Sequence, residues 1–307
     1  MERRQALRPV RPRAELLGVA LAATGAVGYG ITVVVGRDLA TTGIGAASAL
    51  ALRFAVASVL LLVFLRARGV RLAPTREELS RVLLLGAFGY AIESSLFYAA
   101  LERGTAAATA IVFYCYPVFV TVIELARGNE HPERRTLLAL LASIAGTSVV
   151  VAAGGDVAFS AAGVAFTIAA AVTFAVYLLV ARELGRRTEA MTMACWVSIG
   201  SGASQVVRAV ITGTVHVPVD RTPELLLYGG ASAAAFAFSY AAMQHIGAAR
   251  VAVVMTLEAF SAVLLGAIFL GESVRALQLV GGVLVLGAAA VIGAGRARAT
   301  EPAEPAP

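Results

Sequence analysis

The sequence has little charge. Asp, Glu, Lys and Arg make up 14% of its 307 residues, whereas a typical soluble domain has about 25%. Hydrophobic residues reach 59%, so the chain lacks the polar surface that a soluble domain needs. Lysine is absent, and arginine carries the positive charge. This composition argues against a soluble globular domain and predicts an integral membrane protein.

Residues that build metal centres, disulfides and hydrolytic sites are also scarce. There are two cysteines, Cys115 and Cys195, and three histidines, and none of them forms a CxxC, HExxH or paired-His pattern. GxSxG and the glycine-rich loop of ATP-binding proteins are absent as well. We therefore expect no metal site, no cofactor and no enzymatic activity.

Long apolar runs separated by short polar joints predict an all-α membrane protein. We predict ten transmembrane helices, which cover residues 16–36, 44–65, 82–101, 105–126, 136–153, 160–181, 191–211, 223–243, 251–270 and 276–294. Residues 1–15 form a basic N-terminal segment and residues 295–307 a Pro/Ala/Glu-rich tail that we expect to be disordered.

The arginines indicate the orientation. With the N-terminus in the cytoplasm, most of them fall in cytoplasmic segments, and the outside loops hold only Arg37, Arg103, Arg208, Arg221 and Arg275. Cytoplasmic loops collect positive charge. We therefore expect a cell-membrane protein with both termini inside. Its net charge of +6 suits anionic lipid headgroups rather than nucleic acid.

The two halves of the sequence resemble each other. YGITVVVGRDL at 29–39 aligns with FAVYLLVAREL at 174–184, and residues 98–130 align with residues 240–272 at an offset of 142. Each half contains five predicted spans, so the second must enter the membrane from the opposite side. The sequence thus predicts two inverted five-helix repeats, 16–153 and 160–294. This arrangement is typical of secondary transporters that bind substrate near the midplane.

Three ionisable residues lie deep within predicted spans: Arg53, Glu93 and Glu258. Such residues are costly in a bilayer unless they are paired or line a wet cavity. They could bind substrate or couple transport to protons, or Arg53 and Glu93 could form a fixed internal ion pair. Glu258 aligns with Tyr116 of the other repeat, which suits a shared midplane site.

Helical spacing adds aromatic candidates. Phe113 and Tyr116 share one face of the fourth span, and Tyr240 lies on the eighth. These rings could line a cavity for amphipathic solutes or could simply pack the core. Pro117 removes a backbone hydrogen bond and is a candidate hinge.

For other acidic residues and for several small residues we predict structural roles. We expect Glu124 at the membrane interface, and we expect Glu130 and Glu272 to stabilise the N-terminus of the fifth helix of each repeat. Small residues four apart, Ala142 with Gly146 and Ala289 with Gly293, allow close helix packing, either internally or in a homodimer.

Several short motifs, in order, resemble the drug/metabolite transporter superfamily, in its ten-helix branch with two EamA domains. They are Tyr29-Gly30 with Arg37, Arg53-Phe54, Tyr116-Pro117-Val118-Phe119, Leu257-Glu258 with Phe260, and Gly271-Glu272. The resemblance covers about residues 16–294. It implies a secondary transporter that exports small organic metabolites, such as amino acids, or drugs. A lipid flippase, a membrane scaffold and a membrane enzyme are the alternatives.

Overall fold

The fold is described from a computed structural model over residues 12–69, 75–127, 160–185, 188–255 and 257–299, with single helical positions between 134 and 149. The first half forms α1 (Pro12–Thr41), α2 (Ala46–Ala67), α3 (Arg76–Leu84), a π-helical segment (Leu85–Tyr90), α4 (Ala91–Leu101), α5 (Ala106–Phe113) and α6 (Tyr116–Ala126). The second half forms α7 (Ala161–Leu184), α8 (Ala190–Ile211), a 3₁₀ turn (Val219–Arg221), α9 (Thr222–Val254), α10 (Leu257–Phe269) and α11 (Ala276–Ala299).

The helices have the length and apolar character of membrane spans. Within the described residues, six stretches can cross a bilayer: Leu16–Thr41, Ala46–Ala67, Arg76–Leu101, Ala106–Ala126, Ala161–Ala181 and Met191–Ile211. Leu257–Phe269 and Ala276–Ala288 are shorter apolar helices. The expectation of an all-helical membrane protein is confirmed. The count of ten stays a prediction, and the fifth predicted span lies largely outside the described residues.

The third predicted span is interrupted by a change of helix type. Residues 85–90 form a π-helical segment between α3 and α4. At Gly86 helix α8 approaches so closely that a Cβ would lie 2.3 Å from the Val197 carbonyl oxygen. The Gly86 carbonyl also accepts a hydrogen bond from Ser201, 2.9 Å away. Close packing of α8 thus accompanies a local widening of the helix, a feature that often marks functional positions.

Two predicted spans are broken, and the breaks are at matched positions. The fourth span was expected to be continuous, but α5 ends at Phe113 and α6 begins at Tyr116. Pro117 is in the first turn of α6, where a missing N–H is tolerated. In the second half α9 ends at Val254 and α10 begins at Leu257. With the offset of 142, Leu257 at the start of α10 corresponds to Cys115, one residue before the start of α6, so the two breaks lie at nearly equivalent positions.

Helix α9 is longer than the eighth predicted span, but it does not run straight. Its 33 residues include positions 244–250, which were expected to join the eighth and ninth spans. Sixteen residues of straight helix would extend about 24 Å. However, the Ser239 hydroxyl lies 3.5 Å from the Met255 sulfur. The chain therefore turns back between these residues, in the region where the sequence predicts the joint.

Helix α1 lies against the second half of the chain through small residues. A Cβ at Gly25 would lie 2.6 Å from the Ser239 hydroxyl, and one at Gly30 would lie 2.6 Å from the Ser261 Cβ. Glycine lets helix backbones approach closely, which stabilises helix pairs in lipid. The two halves of the chain thus pack along α1, and the candidate site lies in this region.

Candidate functional site

The structure brings the three predicted ionisable residues together. Arg53 on α2 and Glu93 on α4 are buried, with 8% and 6% of their surface exposed, and Glu258 on α10 is partly buried. Their charges interact electrostatically, Arg53 with both carboxylates and the carboxylates with each other. The residues are far apart in the sequence, so the cluster is a product of the tertiary fold.

Arg53 is held by helix α9. Its Nε donates a hydrogen bond to the Ser232 hydroxyl at 2.7 Å, and its Nη1 lies 3.4 Å from the Tyr228 hydroxyl. The guanidinium also stacks over the rings of Phe54 and Tyr228, at 5.2 and 4.9 Å from their centroids. Aromatic faces and hydroxyl groups stabilise a desolvated guanidinium without neutralising it.

The alternative hypothesis for these residues was a fixed ion pair between Arg53 and Glu93. Among the described side chains the two form no such pair. The hydrogen bond to Glu93 comes instead from the Ser94 hydroxyl, 3.0 Å from Oε2. Glu93 lies in the first turn of α4, directly after the π-helical segment. Arg53 and Glu93 are therefore each hydrogen-bonded to a different neighbour in the structure.

Glu258 lies at a helix start rather than inside a continuous helix. The expectation of a continuous helix through Glu258 is wrong, because the break before Leu257 puts Glu258 in the first turn of α10. The depth of Glu258 in the membrane stays a prediction. Its Oε2 is 3.0 Å from the hydroxyl of Tyr114, which also bonds to the Met255 carbonyl. A tyrosine hydroxyl has a single proton, so it can donate to only one of these acceptors at a time.

Tyr114, Tyr228 and Ser232 belong to the site, and none of the three is predicted from the sequence. Tyr228 and Ser232 are one helical turn apart on α9, and Phe236 continues the same face. That spacing could have predicted from the sequence that these side chains share one helix face. Tyr114 precedes the helix break, so its direction could not be derived from the periodicity of an unbroken helix.

The predicted aromatic residues belong to a chain of ring contacts. Phe113 lies 5.0 Å from Phe97 and 5.3 Å from Phe174, and Tyr116 lies 5.0 Å from Phe174. The chain continues through Tyr177, Tyr90 and Phe236 to Tyr29 on α1. Rings from both halves of the protein therefore form one apolar surface, which we call the aromatic ladder.

The remaining candidates have different outcomes. Tyr240 lies in α9, but its side chain is outside the described part of the structure, as is the side chain of Pro117. Their proposed roles stay predictions. Glu124 was expected at the interface, but it is 3% exposed and buried. The face of α6 that carries it packs inward.

A separate groove of about 600 Å³ is formed by residues of α4, α7 and α8, with contributions from neighbouring segments. Gln205 and Arg208 both donate to the Ser95 hydroxyl there, at 2.8 and 2.9 Å. Its lining residues do not include Arg53, Glu93 or Glu258. The groove is therefore distinct from the charged cluster.

Buried charges beside breaks in apolar helices characterise membrane proteins that bind polar solutes within the bilayer. The chain belongs to the EamA-like transporter family, whose model matches residues 16–152 and, a second time, residues 161–294. This confirms the resemblance to the drug/metabolite transporters, and the protein is a multi-pass membrane transporter of that type.

Comparison with individual proteins adds evidence on the fold. No curated protein matches the chain. One matching solved structure, described only as "Crystal structure of protein", is 18% identical with a TM-score of 0.62. The match covers 88% of this chain and 97% of the other. At this identity the similarity shows the fold alone.

Proposed function

We propose that the protein is a secondary transporter that exports small amphipathic metabolites, such as amino acids, or drugs by alternating access. The observation that carries this proposal is the contact of the charged residues with the aromatic ladder. Arg53 stacks on Phe54, whose ring is 5.7 Å from that of Tyr90. Glu258 bonds to Tyr114, whose ring is 5.7 Å from that of Tyr116. A guanidinium binds carboxylates, a carboxylate binds ammonium groups, and rings bind apolar side chains. A zwitterion with an apolar substituent uses all three.

The hydroxyl of Tyr114 gives the site a route to proton coupling. When Glu258 is ionised, its carboxylate accepts a hydrogen bond from the Tyr114 hydroxyl. When Glu258 is protonated, it becomes a donor to the Tyr114 oxygen, and Tyr114 donates to the Met255 carbonyl. Met255 directly follows Val254, the last residue of α9, and precedes α10. The protonation state of Glu258 therefore changes the hydrogen bonding across a helix break.

The test is counterflow in proteoliposomes that contain the purified protein. Vesicles loaded with an unlabelled apolar amino acid should accumulate the labelled form faster than protein-free vesicles. The corresponding amino alcohol, which lacks the carboxylate for Arg53, should be a poor substrate. A fluorescent phospholipid in the same vesicles tests the flippase alternative. Lipid scrambling without solute counterflow would refute the proposal. The direction of transport needs a separate experiment, a resistance screen in a host that lacks its own exporters.

The inverted arrangement makes a separate topology prediction. Glu77 and Thr222 each lie at the start of the third helical stretch of their repeat, and both are exposed. After Cys115 and Cys195 are replaced, an impermeant thiol reagent added to intact cells should label Thr222→Cys and spare Glu77→Cys. The cytoplasmic position would react only in opened cells. Labelling of both from the same side would contradict the inverted repeats.

A further inference from the structure

Glu272 joins the two halves of the protein at the end of the bundle predicted to be outside. It was expected to stabilise the N-terminus of the helix that follows it. Instead its Oε1 accepts a hydrogen bond from the Ala106 N–H at 2.9 Å and its Oε2 one from the Ala107 N–H at 3.3 Å. These are the first two residues of α5, in the other half of the chain. The macrodipole interaction is present, but with another helix.

Arg37 adds a second contact at the same place. Its Nε is 3.8 Å from Glu272 Oε1, and its Nη1 donates to the carbonyl of Leu101, the last residue of α4. Glu272 thus contacts the start of α5, and Arg37 contacts the end of α4. We call Glu272, Arg37 and their backbone partners the outer latch.

The backbone at the end of α10 directs the Glu272 carboxylate toward the N-terminus of α5. Gly271 has φ +64°, the left-handed conformation that commonly ends a helix, and the Glu272 N–H bonds to the Gly266 carbonyl at 3.2 Å. A Cβ at Gly266 would lie 2.9 Å from Glu272 Oε2. Glycine at both positions therefore lets the carboxylate fold back over α10 and reach α5.

The outer latch contacts a helical hairpin. At the end away from the latch, each of its two helices adjoins a departure from regular α-helix. The hairpin is formed by α4 and α5, residues 91–113. One arm follows the π-helical segment that ends at Tyr90, and the other ends at the break before Tyr116. Irregular points in helices are where a rigid segment can pivot. Phe97, Phe113 and Glu93, which belong to the site, are all in this hairpin.

We propose that the outer latch holds this hairpin closed over the site and that Glu272 must release α5 for the outward-open state to form. This inference rests on the transport function proposed above. At the offset of 142, Glu130 corresponds to Glu272 and residue 248 to Ala106. Glu130 lies outside the described residues, and the inverted repeats predict from the sequence alone that it has the same role at the opposite end in the alternate state. Losing either carboxylate shifts the population of states, in opposite directions.

The experiment measures access to a buried position in the hairpin. Thr109 on α5 is fully buried, and a cysteine there, with Cys115 and Cys195 replaced, reports opening from outside. Glu272→Gln should increase the rate of labelling by an impermeant thiol reagent at least tenfold. Glu130→Gln should lower that rate. A purely structural role for these acids would loosen the protein and increase labelling in both variants.

Two controls make the result decisive. Glu102→Gln changes another acid at the hairpin tip, whose carboxylate pairs with the adjacent Arg103, and it should leave labelling unchanged. Arg37→Gln should act in the same direction as Glu272→Gln and replaces it if that variant does not fold. Equal labelling rates in the parent, Glu272→Gln and Arg37→Gln proteins would overturn the latch. The labelling needs no substrate, so absent counterflow with altered labelling would contradict the proposed substrate and leave the latch supported.

Discussion

Arg53→Ala should reduce counterflow to the level of protein-free vesicles. The substitution removes the guanidinium that we assign to the substrate carboxylate, together with its bonds to Ser232 and Tyr228. A hydrogen bond to a charged group contributes about 1.5–3 kcal/mol, and a desolvated cation–π contact about 2 kcal/mol. The free energy of unfolding should therefore fall as well, with a lower thermal midpoint in detergent.

A second variant separates binding from folding. Arg53→Lys keeps a positive charge near Glu93 but loses the planar fork and its stacking on two rings. We expect it to fold and to raise the KM more than it lowers the maximal rate. Arg66→Ala is the matched control, because Arg66 is an exposed arginine on the same helix. If Arg53→Ala transports at the parental rate, Arg53 does not contact the substrate.

Glu258→Gln should fold and lose the pH dependence of transport. Glutamine keeps the size of the side chain and can accept a bond from Tyr114, but it cannot exchange a proton. Transport should fall at least tenfold if the proton drives the cycle, and the pH profile should become flat. The measurement is the counterflow rate across a pH series in the parent and the variant. An unchanged rate and an unchanged pH profile would reduce Glu258 to a packing residue.

Tyr114→Phe provides the companion measurement. It removes the hydroxyl that contacts both Glu258 and the Met255 carbonyl but leaves the carboxyl group in place. Transport should weaken, and part of its pH dependence should remain. Glu77→Gln is the matched acid control, because the Glu77 side chain is 74% exposed in an ion pair with Arg81 that contributes little. Glu124 does not suit this purpose, because it is buried.

The amino-acid sequence by itself determined that this protein is helical and lies in a membrane, and it identified the ionisable residues of the candidate site. Long apolar runs with few charges require lipid around them, and helices are the structures that satisfy their own backbone there. The same argument identified Arg53, Glu93 and Glu258, because an ionisable group in an apolar run is costly wherever it packs. Helical spacing placed Phe113 and Tyr116 together, and the structure has both in the aromatic ladder.

The tertiary structure decided where the helices break and which groups meet. Pro117 was the one local signal of an irregularity in residues 105–126, and it did not show that the helix would break before Tyr116. Nothing local indicated a helix start beside Glu258. The burial of Glu124 had no local signal either. The partner of each polar group was likewise set by remote helices: Ser232 for Arg53, and the N-terminus of α5 for Glu272. A sequence pattern shows that a polar residue is energetically unfavourable in lipid. Its hydrogen-bond partner depends on close packing between segments more than 100 residues apart.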